Sequence, residues 1–391
     1  MTLAGVLAMF FYPFNMTLMF VFYLAMALSV LALWGRSRRT FNVEDKVWLS
    51  LSSSLGFIAG LIVVLVGIYY GFSIYLGDVK FAQALVSKDS QTAANRLVEA
   101  INWNGQNDAY YRLASQAALG LLGQEINKKA DTADAQAQQK RSANIQNYIA
   151  SAVQLATTAT KIGPKEADNW ANLGNVYQNL QGLVDGVDKM ALDSFTKAAE
   201  RRPGDPTYYV SMGDVYSAKA NLDAQLATGA QADTYKKNVT DDLANAENSY
   251  NKAVSLASNY GLAIYNLGVI YDQEGKTAEA IQQLEKIAPA NSNQPGLAFE
   301  LGLLYYRAGQ KDKALSALQQ AVLLSPDFSN ARWYLALLYE EKKDYPSAIE
   351  QLTKILSLDV NKDNQTVKDK LAELMKGQAT VGKIIDQKPL Q

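Results

Sequence analysis

Between residues 267 and 355 the chain repeats itself every 34 residues, which restricts it to architectures built by stacking one small unit on its neighbours. Leu267-Gly268, Leu301-Gly302 and Leu335-Ala336 recur at that interval, and Tyr271, Tyr305 and Tyr339 follow three residues after each small residue. Nine residues past each tyrosine stands an alanine (Ala280, Ala314, Ala348). A leucine comes four later (Leu284, Leu318, Leu352), then Ile287, Ala321 or Ile355. A helix pair with these marks cannot bury its apolar face alone. The small residues admit a neighbouring helix and the large ones fill the gap it leaves.

Six positions in register across three consecutive units resemble the tetratricopeptide repeat (TPR) family. The resemblance implies an all-α fold, a solenoid of about seven helix pairs. Residues 167–362 carry the recognisable repeats. One unit opens on Trp170, Leu173, Gly174 and Tyr177 and closes on Ala191, Phe195, Ala198 and Pro203. The next opens on Met212, Gly213 and Tyr216 and closes on Ala246, Tyr250 and Ala253. The latter holds about 21 extra residues. Its polar, alanine-rich stretch from Ala218 to Thr240, with the single Gly229, reads as a lengthened helical hairpin. Residues 78–166 read as divergent hairpins of the same kind, marked by Ala93, Leu97 and Ala100, by Tyr110, Leu113 and Ala114, and by Ala152, Ala156 and Ala159. Asp363 to Lys376 fits a polar capping helix, and the remainder of 363–391 a frayed tail.

The resemblance further implies a groove lined by the first helix of each pair. The groove-facing positions are Asn172, Asn175 and Asn179; Tyr265, Asn266 and Val269; Phe299, Glu300 and Tyr306; and Trp333, Tyr334 and Glu340. Asparagine pairs with peptide amides and aromatics offer large contact area, so the expected occupant is a protein or peptide, with a glycan chain as the other possibility. Several of these aromatics serve equally well to pack adjacent repeats. The family's basic clamp for a C-terminal carboxylate is not matched, since Arg112 and Arg307 stand isolated in the sequence.

Charge patterning points to a membrane. Residues 1–35 and 47–77 contain no charged side chain. A helix needs about 20 apolar residues to cross a bilayer, so two transmembrane helices are expected, at about 15–34 and 47–75, within a membrane anchor 1–77. The second is expected to continue as one helix from Lys46 to Lys88, about 65 Å at roughly 1.5 Å per residue. A cleaved signal peptide fits the first segment poorly, because its basic residues follow the apolar run. Arg36, Arg38 and Arg39 in the loop 35–46 favour the cytoplasmic side, which places everything after residue 77 outside the cell (inner) membrane. Gly56, Gly60, Gly67 and Gly71 share a narrow helical stripe suited to close approach of another helix, from the first span or from a polytopic membrane partner.

The inventory leaves little room for catalysis. There is no cysteine and no histidine, which excludes thiolate and imidazole nucleophiles and the commonest metal ligands, and no cofactor or metal is expected. The 37 basic and 38 acidic side chains rule out a polybasic nucleic-acid binder. No phosphate-cradling glycine loop or nucleophile elbow occurs, and the pairs Asp241-Asp242 and Glu340-Glu341 read as solvated helix faces. The expectation is therefore a non-enzymatic, membrane-anchored scaffold of the bacterial cell envelope. In layout, membrane helices followed by external repeats also resemble the C-terminal part of bacterial O-antigen ligase or polymerase proteins. That likeness implies an accessory or split portion of a glycan-handling membrane enzyme as the alternative, although the arginine-bearing loop expected for glycan transfer is missing.

Overall fold

A computed structural model describes residues 47–128, 135–228 and 231–376, and every regular element among them is helical. The chain divides into two compact units, residues 1–73 and 74–391. In the first unit the described part belongs to helix α1, which runs without interruption from Val47 to Leu85. From Ser54 onward this helix is long and apolar enough to cross a membrane, with a mean hydropathy of 2.3 over its most apolar stretch and every residue from Ser54 to Tyr70 exposed. It is the only such helix among the described residues. The expected first span at 15–34, the basic loop 35–46 and the tail after Lys376 lie outside the described residues, as does Gly229.

The second unit is a succession of antiparallel helix pairs. The end of α1 packs on α2 (Ser90–Trp103) through Ala84 and Leu97, with Lys80 and Glu99 paired at 2.6 Å. Then follow α3 (Asp108–Asn127) with α4 (Ala135–Ile162), α5 (Ala167–Asn179) with α6 (Val187–Arg201), and α7 (Pro206–Leu226) with α8 (Ala232–Leu256). The tightly periodic region supplies α9 (Gly261–Gln273) with α10 (Thr277–Ile287), α11 (Pro295–Arg307) with α12 (Lys311–Leu324), and α13 (Ser329–Glu341) with α14 (Tyr345–Leu356). A single helix, α15 (Gln365–Met375), closes the row over Val367 and Leu374. The stretch between Ala218 and Thr240 does lengthen a hairpin: α7 and α8 have 21 and 25 residues against 13 and 11 in α9 and α10.

The repeat marks act at close range. A Cβ placed on Gly174, Gly213, Gly268 or Gly302 would come within 2.5–2.7 Å of Phe195, Tyr250, Leu284 or Leu318 respectively, each on the second helix of the same pair. Glycine at that position thus sets the helix separation, and Ala336 is the one unit of the series where a methyl is accommodated. The alanine and leucine of each second helix, Ala280 and Leu284, Ala314 and Leu318, Ala348 and Leu352, are fully buried beneath it.

Turns between paired helices follow the same 34-residue register. Gly275 and Gly309 adopt φ of +77° and +73°, the left-handed conformation that ends a helix cheaply only in glycine, and the third equivalent is Lys343 at +62°. Helix starts are capped by local side chains: Asp89 accepts from the Thr92 amide, Asp205 from Thr207, Asp344 from Ser347 and Asn364 from Val367. Pro206 and Pro346 sit in the first turn, where a missing N–H costs nothing.

Candidate functional site

Burial separates the residues expected to line the groove into two groups. Phe299, Trp333, Tyr334 and Asn172 lie in the interior, so they do not form an open surface. Phe299 stacks obliquely on Phe328 at 4.8 Å and on Tyr334 at 6.0 Å, tying α11 to α13. Asn172 donates from Nδ2 to Ser115 Oγ at 2.8 Å and accepts from Gln116 Nε2 at 3.0 Å, a polar link between α5 and α3. Tyr265 and Tyr306 are half-buried, and the Tyr306 hydroxyl donates to Glu341. Asn175, Asn179 and Asn266 remain at or near the surface.

The acidic pairs also differ from their reading as solvated faces. Asp242 is buried and accepts from Lys219 at 2.8 Å, while Glu340 is buried and accepts from Lys370 of the capping helix at the same distance. Packing against another helix explains both, Asp242 against its own pair-mate α7 and Glu340 against α15, because it covers positions that a single-helix pattern leaves in water. The sequence-isolated arginines are engaged too: Arg112 donates to Asn169 at 2.6 Å, and Arg307 binds both oxygens of Asp272 at 2.6 Å. Among the described residues no group of three acidic side chains is placed to hold a metal ion.

Two open clefts run along the first helices where asparagine and glutamine concentrate. One, of about 550 Å³, lies between α5 and α7 and is lined by Gln178, Asn179, Gln181, Asn221, Leu222 and Gln225. The other, of about 250 Å³, lies between α7 and α9 and includes Asp214, Ser217, Tyr250, Asn266 and Val269. They share Ala218 and Asn221, so the walls are continuous. Asn179 Nδ2 donates to the Asn175 carbonyl at 2.8 Å and Gln181 Nε2 to the Val215 carbonyl at 3.1 Å. Gln181 Oε1 is inaccessible and has no partner among the described residues.

Asp214 stands at the junction of three helices. Its Oδ1 accepts from Tyr250 Oη on α8 at 2.7 Å and from Asn266 Nδ2 on α9 at 2.9 Å. Burial pushes its carboxyl above the ordinary carboxylate value, against the two hydrogen bonds that pull it down, and Tyr250 is driven upward by the same burial and by the adjacent charge. Neither Asp214 nor Asn221 was singled out from sequence. Asp214 directly follows the small residue Gly213, at the same place in its repeat as Val269 after Gly268, and that register was the available signal.

A further cleft, about 580 Å³, has another origin. It lies among α10, α11 and α12 over Leu297, Ala298, Leu301 and Ala317. Four residues before the small mark the other units carry Trp170, Tyr209, Ile264 and Arg332, and this unit carries Ala298. The Trp170 indole donates to the Pro164 carbonyl at 2.9 Å and Arg332 Nε to the Pro326 carbonyl at 2.7 Å, so in those units the side chain fills the space that Ala298 leaves open.

Comparison with known proteins agrees with this geometry. Residues 263–290 and 299–359 match models of the tetratricopeptide repeat, and these segments are tetratricopeptide repeats. Among solved structures the chain is similar to Pseudomonas aeruginosa pilF, with 18% identity, TM-score 0.46 and coverage of 68% of this chain and 99% of that one. It is similar also to YrrB, a TPR protein described as having an unusual peptide-binding site (19%, TM-score 0.41, 57% and 98%), and to MamA from Desulfovibrio magneticus RS-1 (25%, TM-score 0.39, 50% and 97%). A curated anthranilate phosphoribosyltransferase from Psychrobacter sp. is 30% identical over 110 residues. That stretch is 25% of this chain and spans only 29% of the relative. The resemblance in layout to O-antigen ligase proteins is not shown by these matches.

Proposed function

We propose that this chain is a membrane-anchored scaffold whose repeat domain binds a protein or peptide partner in the groove along its first helices. The observation that carries the reading is the continuous polar trough from Asn179 through Asn221 to Asn266, open to solvent and flanked by buried repeat packing. A rigid row of helices presenting side-chain amides suits recognition of an extended chain, since an amide offers a donor and an acceptor to a peptide unit.

The anchor is the apolar helix beginning near Ser54, and the three arginines Arg36, Arg38 and Arg39 favour a cytoplasmic loop with the repeats on the extracytoplasmic side. A polytopic membrane protein is the second expected partner. Along α1, Gly56, Gly60 and Gly67 have open space beside them among the described residues, which leaves a face for another helix. Loss of a co-purifying polytopic protein on replacing Gly60 and Gly67 by leucine would support the accessory role in a glycan-handling assembly.

Site-specific photo-crosslinking tests the groove reading. A photoreactive residue at Asn266 or Asn179 of the full-length chain in native membranes is expected to give one discrete protein adduct that an equivalent probe at exposed Thr196 on α6 does not give. Equal adducts from both faces, or none from the groove, would overturn it.

A further inference from the structure

The trough narrows to one carboxylate whose bonding is incomplete in a telling way. Both neighbours of Asp214, the Tyr250 hydroxyl and the Asn266 amide, converge on Oδ1; Asp214 lines the cleft, and no hydrogen bond or ion pair among the described residues engages its Oδ2. No lysine or arginine among the described residues pairs with Asp214; the nearest cation along α7, Lys219, is committed to Asp242. Asp188 and Asp223 act on that same Lys219–Asp242 pair, so three carboxylates share one ammonium, and Asp223 keeps one oxygen buried without a partner. On the other side of the cleft lie only neutral groups: Gln178, Asn179, Gln181, Asn221 and Gln225.

Resting on the groove reading above, we propose that the partner segment is an extended peptide bearing a lysine or arginine, whose cation is received by Asp214 Oδ2 while the amides of α5 and α7 hold its backbone. The cleft at Asp214, about 250 Å³, suits the end of a single long basic side chain. Tyr250 and Asn266 fix the carboxylate in place before the ligand arrives, so little ordering is needed at the moment of contact. Burial disfavours the bare carboxylate, and a cation at Oδ2 relieves that cost. A carboxylate-bearing peptide would meet repulsion at the same point, which gives the trough a sign preference as well as an affinity.

A displayed library of random twelve-residue peptides, selected on the full-length chain in detergent micelles, tests this. The expected outcome is enrichment of sequences with a lysine or arginine at one fixed position. A synthetic peptide from that set is expected to bind roughly tenfold to a hundredfold more weakly to Asp214→Asn, the range for a hydrogen bond to a charged group. Replacing its basic residue by norleucine should cost the wild type the same factor and make binding insensitive to Asp214→Asn, a coupling read without relying on the variant's fold alone. Enriched peptides with no basic residue that are lost on Asn221→Ala or Asn179→Ala would overturn the role of Asp214 and leave the groove reading standing. Enrichment of no peptide at all would overturn both.

Discussion

Lys343 carries the backbone strain that its counterparts Gly275 and Gly309 avoid, because a side chain at φ +62° crowds the following carbonyl. Lys343→Gly is expected to stabilise the chain by about 0.5–1 kcal/mol, seen as a higher urea midpoint with an unchanged slope. The opposite effect is expected at Gly302, where an added methyl meets Leu318 Cγ at 2.6 Å; Gly302→Ala should cost about 1–3 kcal/mol by the same measurement. Asp214 links stability to pH. Its folded-state pKa is raised above 3.8, so between those values the folded chain holds more protons than the unfolded one, and stability falls as pH rises through the window. Asn at this position keeps an oxygen to accept from Tyr250 and Asn266 and carries no charge to desolvate. Asp214→Asn should therefore raise the melting temperature at neutral pH and lose that advantage below pH 3.8, while weakening peptide binding.

Helices in this molecule are held mostly by what they cross. In the three strictly periodic units the tyrosine of the first helix reaches back to the second helix of the unit before it: Tyr305 donates to Glu285 at 2.7 Å, Tyr271 lies 3.4 Å from Glu247, and Tyr339 accepts from Gln319 at 3.0 Å. The terminal helix α15 repeats the logic with charges, Lys370 closing over buried Glu340, and the preceding turn adds Asn361 donating to Ser329 Oγ at 2.8 Å. Lys370→Met should cost about 3 kcal/mol or more, because it leaves a buried carboxylate unpaired, and adding Glu340→Gln should recover most of the loss. Chemical denaturation of the two variants and the double variant checks this, and full additivity of the two losses would contradict it.

For the whole molecule, the repeat domain and the apolar helix make separate commitments. Nearest-neighbour stacking gives the repeats stability that accumulates unit by unit. The helix from Ser54 exposes leucine, isoleucine, valine and aromatic side chains around its whole circumference, a surface that suits hydrocarbon and not water. The native chain has no cysteine, so a single Ser292→Cys in the exposed turn before α11 reports its side of the membrane. Labelling by a membrane-impermeant maleimide in intact cells is the expected result, and labelling only after permeabilisation would reverse the proposed orientation.

The sequence by itself determined the all-α repeat and most of its pairing. Spacing of 34 residues, small residues opposite leucines and a tyrosine three later are local rules, imposed by helix geometry, that any chain obeying them must satisfy by stacking. It also marked the lengthened hairpin of α7 and α8 and the capping helix. Exposure was decided by tertiary structure alone. Phe299, Trp333, Tyr334 and Asn172 occupy groove-facing positions in the repeat register, yet neighbouring helices close over them, and the pattern of one helix cannot register how near a neighbour comes. Helix packing likewise turned Asp242 and Glu340 inward, where each met a cation from another helix. Asp214 came to matter for the converse reason: α8 and α9 each brought one donor to a single oxygen of a carboxylate that lines the trough, a meeting of three helices that no single stretch of sequence contains.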